Sequence, residues 1–280
     1  KGRMTKDPLS NRSDFFIIAG PCVIESAEVC LTVARHVKGV CDALGLTYVF
    51  KASFDKANRS SHCSFRGPGL QDGLVVLERV KSELGVPILT DIHEVDQAPI
   101  AAKVVDILQV PAFLARQTDL LAACGRTGRW VNIKKGQFMS PQEMGNAAAK
   151  VREARGPDSE GDRVMLTERG TFFGYNRLVN DFTGLAVMKE FGCPVVFDVT
   201  HSTQQPAGLG SQSGGNPQYT PLLARAAMAA GVDGLFLECH PEPKKARSDA
   251  ATMLGLDQID PLLTQCKQIA ELRKKWDHGE

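Results

Sequence analysis

Cations, hydroxyls and glycines crowd the segment ANRSSHCSFRGPG, Ala57 to Gly69, directly after a lysine-bearing apolar run, TYVFKASFDK. Lys51, Lys56 and Arg59 fall here. Arg116, Lys134 and Arg169 stand at comparable points, each at or just beyond the end of a short apolar run. Singly, such residues are usually solvated surface groups. Lys51 and Lys134, however, lie within apolar contexts, where an unpaired charge is costly. A ligand carrying several anionic groups would relieve that cost. Arginine forks and lysine ammoniums bind phosphate by charge-assisted hydrogen bonds, and serine hydroxyls and glycine N–H groups complete such sites. The pattern points to phosphate without saying which one.

A second set is Cys22, His201, Glu238 and Asp249. A thiolate, an imidazole and two carboxylates suit a divalent ion such as Zn, Fe or Mn. On spacing alone, a buried structural cysteine beside unrelated polar groups is the simpler reading. A third set is TDIHE, in which Asp91 and His93 alternate to the same side of an extended segment. They could do acid–base work or hold hydroxyls, and a hydrogen-bonded structural pair explains them equally well. His36, His62 and His278 have no such setting and read as surface residues.

Eight apolar, β-branched runs must carry these residues: 15–22, 47–54, 86–93, 104–112, 130–138, 164–170, 194–201 and 234–241. Near-continuous hydrophobicity fits strands buried on both faces, as in a parallel sheet. Amphipathic helices separate them. The first starts at about Ala27 behind the cap Ser26, with Cys30, Val33, Val37, Cys41 and Leu44 on one side. The last starts at Asp260-Pro261. Eight such repeats without a linker predict a single-domain (β/α)8 barrel over 1–280 with a short N-terminal extension of about 14 residues, in preference to a doubly wound sheet. The stretch 202–218 is too long for a turn and reads as a functional loop. Cys22, Lys51, Asp91, His93, Gln109, Lys134, Arg169, His201, Glu238 and His240 cluster at the C-terminal ends of strands, which a barrel gathers on one face.

Composition narrows the classes. The 280 residues are 43% hydrophobic and 23% charged with a formal net charge of +1, so the overall balance suggests neither a nucleic acid nor a membrane partner. No apolar run reaches the roughly 20 residues that span a bilayer. The first residues lack the apolar core of a signal peptide, which argues for the cytoplasm. The eight cysteines form no CxxC pair, so a disulfide framework is not expected.

The motifs AGPCVIES, KASFDKANRSS, FRGPGL, LQVPAFLARQTDL, NIKKGQF, ERGTFFGYN, FDVTHS, SGG and HPEPKKARSDA follow one another along the chain. In this order the sequence resembles the 3-deoxy-D-manno-octulosonate 8-phosphate synthases from about Phe15 to the last helix. The resemblance implies a homotetrameric (β/α)8 barrel in a Gram-negative-type cytosol. It also implies the substrates phosphoenolpyruvate and arabinose 5-phosphate, condensed with water. The related DAHP synthases, which use erythrose 4-phosphate, carry a KPRT-type sequence where this chain has KANRSS.

Cysteine in AGPC, where other members carry asparagine, implies the metal-dependent class, with Cys22, His201, Glu238 and Asp249 as ligands. Lys134 and Arg169 would hold the phosphoenolpyruvate phosphate, with Lys51, Lys56, Arg116, Gln109 and Asp91 in or near the same pocket. Asn58, Arg59 and Ser60 would take arabinose 5-phosphate. Lys134, Arg169, Asp91 and His201 are the expected catalytic set. The segment PAFLAR would meet a neighbouring subunit, so Arg116 could act across an interface. The loop STQQPAGLGSQSGG is a local difference that could alter closure over the site.

Overall fold

The computed structural model describes Leu9 and residues 15–59, 61–156, 161–172, 174–206, 208 and 213–277. Ser60, His278 and the N-terminal extension apart from Leu9 lie outside the described residues.

Eight parallel strands form at the predicted runs: β1 (Phe16–Gly20), β2 (Thr47–Lys51), β3 (Ile88–Asp91), β4 (Ile107–Val110), β5 (Trp130–Lys134), β6 (Val164–Glu168), β7 (Val195–Asp198) and β8 (Gly234–His240). Each pairs with the next, and β1 pairs with β8 from Phe16↔Gly234 to Gly20↔Glu238, closing the cylinder. Helices α1 (Ala27–Leu44), α2 (Leu70–Leu84), α3 (Gln97–Ala101), α4 (Thr118–Arg126), α5 (Glu143–Arg155), α6 (Thr183–Lys189), α7 (Thr220–Ala229) and α8 (Ile259–Asp277) follow the strands in turn. This is the (β/α)8 barrel that the repeats predict. Ser26 caps α1 by accepting from the Val29 N–H at 3.2 Å.

Every strand ends one to four residues earlier than its apolar run, because the last residues of the run leave the ladder to form the rim. The two-residue side-chain period then sorts the interior. Phe16, Ile18, Val49, Leu89, Ile107, Trp130, Met165, Val196 and Phe236 fill the barrel, and Leu9 joins them. The outward residues, Ile17, Phe50, Leu108, Val131, Leu166 and Leu235 among them, pack under the helices in a second core.

Two residues beyond the inner apolar layer, the inward positions are Lys51, Asp91, Gln109, Asn132, Thr167, Asp198 and Glu238, with Lys134 and Arg169 one step further. All nine are buried. A polar layer therefore lies on an apolar floor at the C-terminal end of the barrel. One glycine makes the closure possible at that level: a Cβ on Gly20 would lie 1.9 Å from the Lys51 carbonyl oxygen.

Candidate active site

Phe236 supplies the floor. Its ring lies 3.7 Å from Lys134 Nζ and 5.5 Å from Lys51 Nζ, measured to the centroid, so two lysines lie over one aromatic ring. Each also has a buried carboxylate. Lys51 Nζ donates to Glu238 Oε1 at 2.8 Å and to the Cys22 carbonyl at 2.9 Å. Lys134 Nζ donates to Asp198 Oδ2 at 2.5 Å. Burial presses the Lys51 ammonium down, but Glu238, Asp91 and Cys22 together outweigh it and raise the group overall. For Lys134 burial prevails over Asp198 and the amine is pushed below its ordinary value.

Across the barrel, Thr167 Oγ1 donates to Asn132 Oδ1 at 2.7 Å and Asn132 Nδ2 to Gln109 Oε1 at 2.8 Å. Gln109 Nε2 donates to Asp91 Oδ1 at 2.5 Å, and the Ser53 hydroxyl donates to Asp91 Oδ2. The chain of amides fixes the direction of every bond, since it ends on an acceptor-only carboxylate. Burial alone would raise the Asp91 carboxyl. Lys51, Lys56 and His93 more than offset this and hold it well below the usual carboxylate range.

A cavity of about 200 Å³ opens above this layer. Lys51, Lys56, Asn58, Asp91, His93, Gln109, Lys134, Arg169 and His201 line it. Two of its cations lack a carboxylate partner within 4.0 Å among the described residues, Lys56 and Arg169. Arg169 Nη2 donates to Gln204 Oε1 at 2.8 Å, while Nη1 is buried without a partner. Burial depresses the Lys56 ammonium, but Cys22, Glu238, Asp91 and Asp249 reverse this and push it well up. A buried guanidinium nitrogen with an open hydrogen-bond position, in one cavity with an ammonium that has no carboxylate partner among the described residues, is suited to an anion.

Beside the cavity, one ligand atom each from Cys22, Glu238 and Asp249 lies within 4.8 Å of the others. Closure of the barrel makes this possible, because Gly20 at the end of β1 is in register with Glu238. Asp249 arrives from the loop after β8 in a left-handed conformation, φ +51°, that aspartate tolerates better than most residues. Cys22 Sγ donates to Asp249 Oδ2 at 2.9 Å. His201 Nε2 stands 3.6 Å from Glu238 Oε2 and 3.8 Å from Asp249 Oδ2. Asp198 Oδ2 is 2.8 Å from His201 Nδ1, which orients the ring and turns Nε2 toward the two carboxylates.

The donor set fits a divalent cation on an independent observation: Glu238 Oε2 is buried and has no hydrogen-bond partner. Such an oxygen costs about 1–3 kcal/mol or more if left unsatisfied. Burial, Asp249 and Glu238 push the Cys22 thiol well up, whereas a coordinated thiol is deprotonated.

The segment after β2 folds back on itself. Arg66 forms a two-pronged ion pair with Asp55, with Nε at 2.7 Å and Nη2 at 2.5 Å, and the Lys56 N–H donates to the Arg66 carbonyl at 2.8 Å. The bend needs Gly67, whose φ is +118° and whose Cβ would lie 2.4 Å from the Phe54 carbonyl oxygen. Arg66 and Gly67 of HCSFRGPG thus brace Phe54–Lys56, the residues that lead into ANRSS. Arg59 lies outside the cavity lining, with Nη1 donating to Ser248 Oγ at 2.7 Å. Ser60 falls outside the described residues.

Arg116 does not line the cavity of its own chain. It is 68% exposed, 3.9 Å from Glu143, because it follows the one-turn helix at Ala112–Leu114 out onto the rim. His240 turns elsewhere as well: its Nδ1 accepts the Glu242 N–H at 3.0 Å, and Nε2 faces Glu25 at 3.7 Å. Sequence reasoning missed several contributors, among them Ser53, Asn132, Thr167, Asp198, Gln204, Phe236 and Ser248. Asp198 was readable from its inward strand position, whereas Gln204 and Ser248 sit in loops with no periodicity to announce them.

Residues 9–275 match the DAHP synthetase I family. The 2-dehydro-3-deoxyphosphooctonate aldolase of Syntrophotalea carbinolica is 54% identical over 258 residues, covering 92% of this chain and 91% of the relative. The enzyme of that name from Dechloromonas aromatica is 53% identical over 249 residues, 89% and 88% of the two chains. That from Thioalkalivibrio sulfidiphilus is 53% identical over 259 residues, 92% and 91%. With the family match spanning residues 9–275 and relatives of this identity aligned along nearly their whole length, the chain belongs to the DAHP synthetase I family.

Proposed function

We propose that this chain condenses phosphoenolpyruvate with D-arabinose 5-phosphate and water, giving 3-deoxy-D-manno-octulosonate 8-phosphate and inorganic phosphate. The product is a precursor of a lipopolysaccharide sugar. The observation that carries the reading is the 54% identity, over nine-tenths of both chains, to an aldolase named for that product. The two cavity cations with no carboxylate partner among the described residues, Lys56 and Arg169, support it.

Arg169, through its open Nη1, and Lys134 hold the phosphoenolpyruvate phosphate. Lys51, Lys56 and Gln109 border the same ligand. Asn58, Arg59 and Ser60 receive arabinose 5-phosphate. The C3 carbon of phosphoenolpyruvate attacks the sugar aldehyde, forming the C–C bond while the aldehyde oxygen gains a proton. Water adds at C2, and the resulting phosphohemiketal expels phosphate by C–O cleavage. Asp91, kept ionised by Lys51 and Lys56, accepts hydrogen bonds from the water or the sugar hydroxyls. The buried positive charge of Lys134 and Arg169 stabilises the anionic intermediates where water is scarce. A divalent ion held by Cys22, His201, Glu238 and Asp249 would supply a fixed positive charge that orients the sugar.

Phosphate release tests the reading. Arabinose 5-phosphate should outperform erythrose 4-phosphate, chelation should reduce the rate, and Zn, Fe or Mn should restore it. Preference for erythrose 4-phosphate would make the chain a DAHP synthase, and no phosphate release from either sugar would make it a silent barrel.

The proposal extends to assembly and place. Phe113, 45% exposed beside the exposed Arg116, supports a homotetramer in which PAFLAR meets a neighbouring subunit. Light scattering should give four times the chain mass. No described helix is long and apolar enough to cross a membrane. Action in the cytoplasm belongs to the same proposal.

A further inference from the structure

Arg169 and Asp249 belong to different parts of the site, one facing the anion and the other the metal centre. Both touch Gln204. The Gln204 Oε1 accepts from Arg169 Nη2 at 2.8 Å, and its Nε2 donates to Asp249 Oδ1 at 3.1 Å. The amide orientation is forced, since a guanidinium only donates and an ionised carboxylate only accepts. We infer that Gln204 is a positioning residue that couples anion binding to metal binding. The inference rests on the reading of the site given above.

Each partner keeps a second atom for its own ligand. Arg169 Nη1 is buried and unpaired, and Asp249 Oδ2 faces Cys22 at 2.9 Å. Gln204 therefore takes one prong of each group and leaves the other prong aimed at a ligand. An anion on Nη1 fixes the guanidinium plane, which fixes the amide, which fixes the Asp249 carboxylate. A metal on Oδ2 sends the same constraint backwards. Whichever ligand binds first bears the ordering cost for the second, which is positive coupling, and the coupling is reciprocal.

The backbone can carry this role. Gln204 opens a two-residue antiparallel ladder, pairing with Gly215. That hairpin sits against the loop that carries Asp249, for a Cβ on Gly215 would lie 2.3 Å from Thr252 Cγ2 and 3.0 Å from the Ala251 carbonyl oxygen. The Thr252 N–H in turn donates to the Asp249 carbonyl at 3.0 Å. The amide is thus supported from both sides of the gap it spans.

The test uses the full chain and Gln204→Met, which has similar length and neither hydrogen bond. Gln204→Glu is the second variant, able to accept from Arg169 but repelled by Asp249. Zinc affinity is measured by chelator competition with and without phosphoenolpyruvate, and phosphoenolpyruvate affinity by calorimetry with and without zinc. Thermal melts report folding. In the wild type each ligand should tighten the other about five-fold or more. In both variants that ratio should fall by about three-fold or more, with each ligand still binding alone and kcat falling more than KM rises. Should the methionine variant fail to fold, the glutamate variant decides. A folded variant that keeps the wild-type ratio overturns the inference and leaves the proposed function standing. A wild type that binds no zinc overturns the metal centre and the inference together.

Discussion

Replacing Lys51 with methionine removes one member of a buried ion pair and leaves the other in place. Lys51 and Glu238 are at most 1% exposed and 2.8 Å apart, so solvent cannot take over the role of the lost ammonium. Breaking such a pair from one side costs about 3–5 kcal/mol, chiefly because a charge is left buried and uncompensated. For a chain of this length about 2 °C accompanies each kcal/mol, so the metal-free variant should melt about 6–10 °C below wild type.

Two further measurements separate this cause from simple loss of packing. Glu238→Gln in the Lys51→Met background removes the stranded charge, so the double variant should be more stable than the sum of the single losses by about 1–3 kcal/mol. Divalent metal should also stabilise Lys51→Met more than wild type, because the ion replaces the missing cation beside Glu238. At a hundred-fold excess over Kd, binding alone contributes about 2.7 kcal/mol. Differential scanning calorimetry with and without chelator reads all of these. Additive losses in the double variant, or equal metal-induced shifts in both proteins, would refute the argument.

Arg169→Ala removes charge-assisted hydrogen bonds worth about 1.5–3 kcal/mol each, so kcat/KM for phosphoenolpyruvate should fall about 100-fold or more. Arg169→Lys should recover only part, since a point charge cannot serve Gln204 and the ligand at once. Cys22→Asn places an amide donor near Asp249 Oδ2, so it should keep activity under strong chelation if the ion orients the sugar; complete loss would assign the ion a direct part in bond making. Asp91 and Asp198 are both held below the ordinary carboxylate range, burial being outweighed by Lys51, Lys56 and His93 in one and by His201 and Lys134 in the other. Their stabilising contribution is therefore complete above about pH 4 and is lost as pH falls below it, by about 1.4 kcal/mol per pH unit for each carboxylate. Urea titrations between pH 2 and 6 should show this slope, and a flat profile would contradict it.

How much was legible in the sequence differs between strands and loops for a physical reason. A strand ties side-chain direction to residue number, so Lys51, Asp91, Gln109 and Glu238 could be assigned to one face before any coordinates. The same rule sends Lys135 outward, next to Lys134, where it meets Glu168 at 3.7 Å and the Thr171 hydroxyl at 2.7 Å. Loops have no such period. Nothing local distinguishes Gln204 from Gln205, yet the first bridges two halves of the site and the second does not. Cys22 and Asp249 are 227 positions apart, and only the β1–β8 closure explains why they meet. Arg116 shows the converse, a cation at the right place in the sequence whose one-turn helix carries it to the rim.

The charge arrangement has a logic beyond any single residue. Lys51, Lys134, Lys56 and Arg169 crowd one cavity, and four unpaired cations there would repel one another with little water to screen them. Glu238 and Asp198 neutralise two of them, and these are the two that lie over Phe236. The paired lysines form a fixed electrostatic base that an incoming anion need not disrupt. Among the described residues, Lys56 and the open prong of Arg169 remain without a carboxylate, to meet the anion alongside Lys134. Glu238 serves twice, with Oε1 on Lys51 and Oε2 open towards the metal centre. The same carboxylate that makes a buried lysine tolerable therefore leaves an oxygen that a divalent ion would satisfy, which ties the stability of the cationic base to the state of the metal site.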